Sequence, residues 1–348
     1  MESMALHQKL SLRNWKYFLS LIPAALVVFG NLTGGWYSLA NFLFSFVILA
    51  LSEIMLPEDK SNDDSVEDHL PEVLLFLSVL SQIISVSSLV YGISSGIING
   101  YWIFAAALST GTSSGTIAIV VAHELIHRKE KFWNFAGRFL LFSVFNPYFY
   151  IHHLRVHHKH VGTFNDPVTA RKNETYYHYL WRSVKGQIIQ SFAIESKRCE
   201  KLGESKFSIH NYMIACFAGY VLVLAVAGIL FGWQVVAALI LQAYFANSLL
   251  EYTNYIEHYG LSREVNQRVN ETHSWQSDKF ISRFFLIDLS RHADHHFHAA
   301  KPFHQLLSHS KSPVMPGGYA SMFLPALIPP LWFALVNKKI PKEITMPA

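Results

Sequence analysis

The sequence predicts an all-α integral membrane protein, with six transmembrane helices and a histidine-rich helical cap on the cytoplasmic side. Three observations lead to this fold class. The 348 residues are 51% apolar and only 15% charged, whereas a soluble domain is about a quarter charged. The apolar residues form long blocks, which are typical of membrane spans. Nine of the 19 histidines fall into four groups whose spacing suits metal ligands.

Six segments are long and apolar enough to cross a bilayer, since a span needs about 20 residues. Short turns join them into three hairpins, so that each pair should lie antiparallel. We expect residues 1–348 to form a single membrane domain, with histidine-bearing segments at 123–209 and 254–348. The predicted spans are approximately 17–33, 37–56, 72–95, 101–122, 210–230 and 232–253.

Lysine and arginine residues orient these spans, because positively charged loops remain in the cytoplasm. They occur in the N-terminal tail, from Arg128 onwards and throughout 171–206, but not in the three hairpin turns. Both termini and the long middle segment should therefore be cytoplasmic. The fourth and sixth spans end beside His123 and His258, so all four histidine groups are predicted at the cytoplasmic face.

Three further stretches are not predicted to cross the membrane. Residues 132–151 are interrupted by Arg138 and Asn146-Pro147 and should form an interfacial or re-entrant helix pair. Residues 319–336 are short and rich in proline, and we expect them at the interface. The acidic connection 57–72 is expected to be a solvated loop.

The charge and the cysteine content exclude several classes of protein. A net charge of +4 is too small and too scattered to indicate binding to nucleic acid. Two cysteines, Cys199 and Cys216, exclude a disulfide framework and a cysteine-ligated iron–sulfur cluster. The histidines are therefore the residues expected to carry the chemistry.

The grouped histidines lie in four motifs: HELIHR, HHLRVHH, NYIEHYG and RHADHH. Residues four apart share a helical face, so the pair in HELIHR can bind one ion. In an α-helix His157 lies about 40° from His153, and His158 about 140° from it. HHLRVHH should thus reach in two directions, whereas RHADHH keeps its three histidines within about 100° on one face. The nine residues are His123, His127, His153, His157, His158, His258, His292, His295 and His296.

The number of histidines indicates two metal ions rather than one. A zinc peptidase site uses three protein ligands and a water, which would leave six grouped histidines without a role. Iron accepts imidazole ligands and, with open positions, can activate O₂. Ligating histidines usually donate to a carboxylate. The candidates for such supporting residues are Glu124, Asp166, Glu257 and Asp294.

The ten remaining histidines are interpreted differently. Four could support the site or lie on the cytoplasmic face, and they are His152, His160, His273 and His298. Six are interpreted as surface or interfacial side chains, and they are His7, His69, His178, His210, His304 and His309. Glu251 lies inside the sixth predicted span, where ionisable residues are costly and usually functional.

Two other classes of protein compete with this interpretation. HExxH by itself is the motif of zinc metallopeptidases, with Glu124 as the general base. A metal transporter or haem-binding membrane protein would need ionisable residues in the middle of several spans, and only Glu251 meets that requirement.

Together these motifs resemble those of the integral-membrane di-iron alkane hydroxylases, whose relatives include xylene monooxygenase and membrane fatty-acid desaturases. The resemblance runs in order from the fourth span almost to the C-terminus, and NYIEHYGL distinguishes the hydroxylases from the desaturases. The matching segments are HELIHR, YIHHLRVHH, NDPVTARKNE, NYIEHYGL, HSWQSD, LSRHADHH and PGGYASM…PPLW. HHLRVHH departs from the family, which typically has a glutamate before the first ligand and Asn-Arg-Gly inside.

The resemblance implies that the nine histidines bind two non-haem iron ions and that O₂ is the co-substrate. One oxygen atom would enter a terminal C–H bond of an alkane or alkyl chain, giving a primary alcohol. Methyl groups of alkylaromatics or terpenes, or desaturation of a fatty acyl chain, remain alternatives. The membrane would be a bacterial inner membrane.

The resemblance also implies a separate electron donor, either rubredoxin or a ferredoxin-type protein with an NAD(P)H-dependent reductase. Basic residues near the site could steer an acidic carrier, although contact with anionic lipid is the simpler explanation. These residues are Arg128, Lys129, Lys159, Arg171, Lys172 and Lys301.

Overall fold

The computed structural model describes residues 13–62 and 69–341. Within these ranges the regular structure is helical, and the extended pairing consists of two isolated bridges, Glu58 with Lys279 and Gln276 with Val314. The all-α prediction is therefore confirmed.

Six helices among the described residues are long and apolar enough to cross a membrane, as predicted. The fourth and sixth continue beyond the apolar stretches that predicted them, because their last turns are buried against the cap. His123 and His258 therefore belong to the spanning helices themselves. The first to sixth spans are Arg13–Thr33, Gly35–Met55, Leu70–Ser94, Trp102–Ile126, Tyr212–Phe231 and Trp233–His258.

Glycines form two of the hairpin turns between spans. Gly34 joins the first two spans with a φ of 74°, and Gly232 joins the last two with a φ of 87°. Residues with a Cβ rarely adopt this left-handed conformation. A Cβ at Gly34 would also collide with the backbone oxygen of Ile97, in the turn between the third and fourth spans. The first two hairpin turns thus pack together at the end of the bundle opposite the histidines.

The fourth span lies at the centre of the bundle and the fifth at its edge. In their most apolar stretches, 78% of the fourth span is buried but only 17% of the fifth. Gln242 Nε2 on the sixth span donates to Ser114 Oγ over 2.7 Å. Ser114 Oγ in turn donates to Gln82 Oε1 on the third span over 3.0 Å. Such hydrogen bonds hold neighbouring helices together in a membrane and fix the span that carries His123.

The cap consists of the described residues after the fourth span, 127–211, and after the sixth, 259–341. Residues 132–151 form the predicted helix pair, Lys131–Ser143 and Pro147–His152. The pair separates at Phe145, whose φ is 55°. Residues 319–336 also form two short helices, Phe323–Leu327 and Pro329–Val336. A third element, Tyr176–Lys201, is called the long cap helix below.

In the acidic connection after the second span, the described residues 57–62 are mostly exposed, as expected of the predicted solvated loop, but they differ from it in their contacts with the cap. They pack against the cap, where the Asp59 carboxylate lies 3.0 Å from Arg283 Nη1. Arg291 Nη2 donates to the backbone oxygen of Ser61 over 2.7 Å. Buried arginines of the cap need such acceptors, which explains the difference. Residues 63–68 of this connection lie outside the described residues.

Candidate metal centre

All nine grouped histidines converge into two neighbouring clusters, and each cluster offers ring nitrogens that lie within 4.8 Å of one another. The five-histidine cluster consists of His123, His127, His153, His158 and His295. The four-histidine cluster consists of His157, His258, His292 and His296. Each cluster is therefore able to hold a metal ion.

The five-histidine cluster has the spacing that ligands of one ion require. The Nε2 atoms of His127, His153 and His158 are 2.9–3.2 Å apart. His295 Nε2 lies 3.2 Å from His158 Nε2. With a metal–nitrogen distance of about 2.1 Å, two ligands at right angles would be about 3.0 Å apart. Three of these nitrogens thus already lie at the corners of a coordination polyhedron.

The four-histidine cluster has similar geometry and is more deeply buried. His292 Nε2 and His296 Nε2 are 2.9 Å apart, and the ring centroids of His157 and His258 are 4.8 Å apart. The Nε2 atoms of His157 and His258 are buried and have no hydrogen-bond partner among the described residues. Because a buried polar atom without a partner is costly, these nitrogens fit a bound cation.

A π-helix distributes HHLRVHH between the clusters. The segment His153–His157 is π-helical, so residues five apart are brought to the same side. His153 therefore joins His158 in one cluster, and His157 points to the other. The prediction that this motif reaches in two directions is confirmed, but the α-helical angles that placed His157 nearest His153 are wrong.

RHADHH is also shared, by a simpler arrangement. Its helix, His292–Phe297, directs His292 and His296 to the four-histidine cluster, as expected for residues four apart. His295 lies beside them on the same side but enters the five-histidine cluster. The two clusters are thus linked through two motifs.

Two of the predicted supporting carboxylates contact the four-histidine cluster. Asp166 Oδ2 lies 2.9 Å from His157 Nδ1. Glu257 Oε2 lies 3.2 Å from His292 Nε2, and the Tyr319 hydroxyl donates to Glu257 Oε1 over 2.8 Å. Burial alone would raise the pKa of Asp166, but the neighbouring His157 ring outweighs burial and lowers it.

The other two carboxylates stabilise the cap instead. Glu124 accepts from Arg128 Nε over 2.9 Å and from the Phe303 backbone over 3.2 Å. Asp294 accepts from Lys301 and from His309 Nε2, both at 2.7 Å. These hydrogen bonds outweigh the effect of burial and lower the pKa of Asp294 to about 2. The partners of both carboxylates are outside the clusters. These contacts take the place of the predicted contact with a ligand histidine.

Sequence reasoning missed some polar partners near the site. His309, predicted to be a surface side chain, is the partner of Asp294, and no local pattern indicates this contact between a helix residue and a loop residue 15 positions away. Glu251 in the sixth span accepts from Gln187 Nε2 on the long cap helix over 2.7 Å. His152 is buried with its Nε2 atom 3.0 Å from Gln190 Oε1. His7 lies outside the described residues.

Six of the cluster histidines outside the spans have a lowered pKa, which favours the neutral form. Burial, aided by neighbouring rings, lowers the pKa of His127 to about 4. Neutral imidazole is the form that binds metals, so the donor set fits transition-metal ions. The pKa also falls well below its ordinary value for His153, His158, His292, His295 and His296.

A narrow apolar cavity of about 70 Å³ leads towards the clusters from between the spans. The π-helices Phe44–Ile48 and Ser114–Ala118 both border it, and Phe46 and Leu249 contribute to its wall. A smaller cavity of about 20 Å³ shares Val120 with it and is lined by cluster histidines. The two cavities therefore adjoin each other, one in the hydrophobic interior and the other against the ring nitrogens.

The fold and the site together define a class of protein: a multi-pass membrane bundle with two histidine clusters at one end. The fatty acid desaturase family model matches residues 99–326. Alkane 1-monooxygenase 2 of Alcanivorax borkumensis is 34% identical over 94% of this chain and 89% of its own length. Alkane 1-monooxygenase 1 of Pseudomonas aeruginosa is 32% identical, over 95% and 92% respectively.

A more distant relative is the hydroxylase component of xylene/toluene monooxygenase from Pseudomonas putida, which is 27% identical over 93% of this chain and 88% of its own length. The chain belongs to the fatty acid desaturase family and, within it, to the alkane 1-monooxygenases. This confirms the family resemblance and the monooxygenase class of enzyme that it implies.

Proposed function

We propose that this protein is a non-haem di-iron monooxygenase that inserts one atom of O₂ into a terminal C–H bond of an alkane or alkyl chain. The product would be a primary alcohol. The observation that carries the proposal is the convergence of nine histidines at the end of a narrow apolar cavity between membrane spans. The relatives named alkane 1-monooxygenase support the hydrocarbon substrate.

The chain contributes geometry and a dry environment to this reaction. Two bound irons would supply the O₂ chemistry that side chains alone lack. Asp166 holds His157 in a fixed orientation through Nδ1, as supporting residues do in other metal sites. Glu257 lies against His292 Nε2, the nitrogen that faces His296, so its carboxylate would border the bound ion. The apolar cavity excludes water and directs one end of the substrate to the clusters.

The electrons would come from a separate protein, for which we propose rubredoxin or a ferredoxin-type donor with an NAD(P)H-dependent reductase. Arg128 and Lys301 are less suited to docking than predicted, because they pair with Glu124 and Asp294. The remaining predicted cations are exposed on the cap, and they are Lys129, Lys159, Arg171 and Lys172. The charge asymmetry of the chain supports a cytoplasmic location of the cap, beneath a bacterial inner membrane.

A zinc metallopeptidase is less compatible with the site. In that class a glutamate in HExxH activates the metal-bound water, but both carboxylate oxygens of Glu124 accept hydrogen bonds from the cap. A peptidase would also leave the four-histidine cluster without a role. The peptidase hypothesis predicts that Glu124→Gln abolishes activity whereas His258→Ala does not.

The decisive experiment combines metal analysis with product analysis on the purified full-length protein. We expect about two irons per chain, and a primary alcohol from a linear alkane when donor and reductase are supplied. One zinc per chain would contradict the di-iron proposal. An alkene formed from an acyl lipid would show that the enzyme is a desaturase. Preferential oxidation of a methyl group of an alkylbenzene or terpene would identify that compound, and not an alkane, as the substrate.

The role of the cavity can be tested separately by widening it. Phe46 lines the cavity and packs against Phe323 with ring centroids 4.4 Å apart. Phe46→Leu should lengthen the preferred alkane, because it removes volume from the wall. The neighbouring Val47 is 45% exposed towards the lipid-facing side, so Val47→Ala is the matched control. Equal product profiles for both variants would exclude this cavity as the substrate path.

A further inference from the structure

The cap contains another cavity that none of the nine grouped histidines lines. It has a volume of about 360 Å³ and lies between the segment that begins at Tyr150 and the C-terminal part of the long cap helix. Apolar side chains, including Leu154 and Ile194, form part of its wall. The cations that line it are Arg155, Lys197, Arg198 and Lys201.

The charges in this cavity are unbalanced. Glu195 is the one acidic residue in its lining, and Arg198 Nη2 lies 2.8 Å from its carboxylate. Arg155, Lys197 and Lys201 are exposed around the same space. Lys197 and Lys201 are four residues apart on one helix, an arrangement in which like charges destabilise the helix. A bound anion would remove this repulsion.

The cavity lies at the point where the fifth span begins. The backbone N–H of Tyr212, the first residue of that span, donates to Glu195 Oε2 over 3.0 Å. The rings of Tyr150 and Tyr212 are in contact, with centroids 5.6 Å apart. Below this level the fifth span exposes Phe217 and Leu222, which are 66% and 64% accessible. The cavity therefore adjoins the cap end of the fifth span, whose apolar side chains are exposed.

The long cap helix indicates that lipid also meets this side of the cap. Its buried stripe is polar and repeats every four residues, whereas Trp181, Ile188 and Ile189 are exposed on the outer face. An apolar face with tryptophan and nearby lysines is typical of a helix that lies in the membrane interface. The buried polar stripe consists of Tyr179, Ser183, Gln187, Ser191 and Glu195.

We propose that this cavity binds the phosphate headgroup of an anionic phospholipid, whose acyl chains lie along the fifth span. Arg155, Lys197 and Lys201 would contact the phosphate, and Leu154 would contact the glycerol region. Basic pockets beside membrane helices bind such headgroups, with each nearby lysine or arginine contributing. The bound lipid would join the cap to the fifth span. This inference does not depend on the monooxygenase activity.

Native mass spectrometry of the full-length protein in non-ionic detergent can test the proposal. We expect one retained phosphatidylglycerol per chain, in preference to phosphatidylcholine. Lys197→Gln combined with Lys201→Gln should weaken retention about tenfold, because two cations are lost. The matched control combines Lys185→Gln with Lys311→Gln, two exposed lysines away from the cavity, and should bind as the unaltered protein does.

Unchanged thermal unfolding and metal content would show that the variants are folded. Equal retention of phosphatidylcholine, or of phosphatidylglycerol by both double variants, would overturn the proposal. Displacement of the lipid by millimolar inorganic phosphate would assign the cavity to free phosphate instead of lipid. Loss of donor-supported turnover with unaltered lipid retention would assign it to the electron donor, which also overturns the proposal.

Discussion

The two histidine clusters lie side by side but differ in ligand number, exposure and support. In the five-histidine cluster, His127 and His158 are partly exposed, and the recorded Nε2 contacts join the rings to one another. Every member of the four-histidine cluster is buried, and carboxylates contact His157 and His292. The ion in the five-histidine cluster would thus have one more ligand. The ion in the four-histidine cluster would instead depend on burial and on rings that are held in place.

The largest difference between the clusters should appear when one ligand is removed from each. His258→Ala leaves three histidines in the four-histidine cluster, so we expect about one iron per chain. His295→Ala leaves four in the other cluster, and iron content should remain close to two. Activity should fall more than about 100-fold in both, since losing even a supporting residue costs 10–100-fold. The iron content per chain measures this difference between the two variants. An equal loss of iron in both would contradict the distinction between the clusters.

A second effect concerns the rate at which each ion leaves. A ferrous chelator should remove iron in two phases, because the five-histidine cluster is open at His127 and His158 while the other is enclosed. Absorbance of the ferrous complex measures both phases. In His258→Ala the slow phase should be absent, and the fast phase should keep its rate. A single phase in the unaltered protein would show that exposure does not distinguish the clusters.

A smaller effect is expected from the carboxylate that supports the four-histidine cluster. Asp166→Asn removes the charge beside His157 Nδ1 and should weaken one of two metal-binding steps by 10–100-fold. Glu124→Gln is the matched control, because Glu124 contacts Arg128 and the Phe303 backbone instead of a cluster ring. Metal titration of the apo-protein compares the two. Equal weakening in both variants would remove the special role of Asp166.

The features predictable from sequence are those that depend on local spacing. Apolar blocks predict the six spans, and HELIHR predicts that His123 and His127 share a cluster. The sequence could not predict how the histidines of HHLRVHH are divided between the two clusters. A π-helix changes which residues share a face, and it leaves no clear pattern in the sequence. The contact between Asp294 and His309 joins a short helix to a loop and depends on how the cap packs.

The smallest effect should come from a charge pair beside the clusters. Lys301 Nζ lies 2.7 Å from Asp294, whose recorded partners are outside both clusters. Lys301→Met should lower the free energy of unfolding by about 1–2 kcal/mol at neutral pH without changing iron content. The exposed Lys159 is the matched control, and Lys159→Met should leave stability unchanged.

The pH dependence of this effect follows from the pKa of Asp294, which is lowered to about 2 from about 3.9 in an unfolded chain. A carboxylate with a depressed pKa stabilises the folded state above its unfolded pKa, and this contribution is lost as pH falls towards 2. The difference between the unaltered protein and Lys301→Met should therefore be full above pH 4 and decrease below it. Chemical unfolding at several pH values measures this difference, and a pH-independent one would show that packing of the Lys301 side chain, not its charge, stabilises the cap.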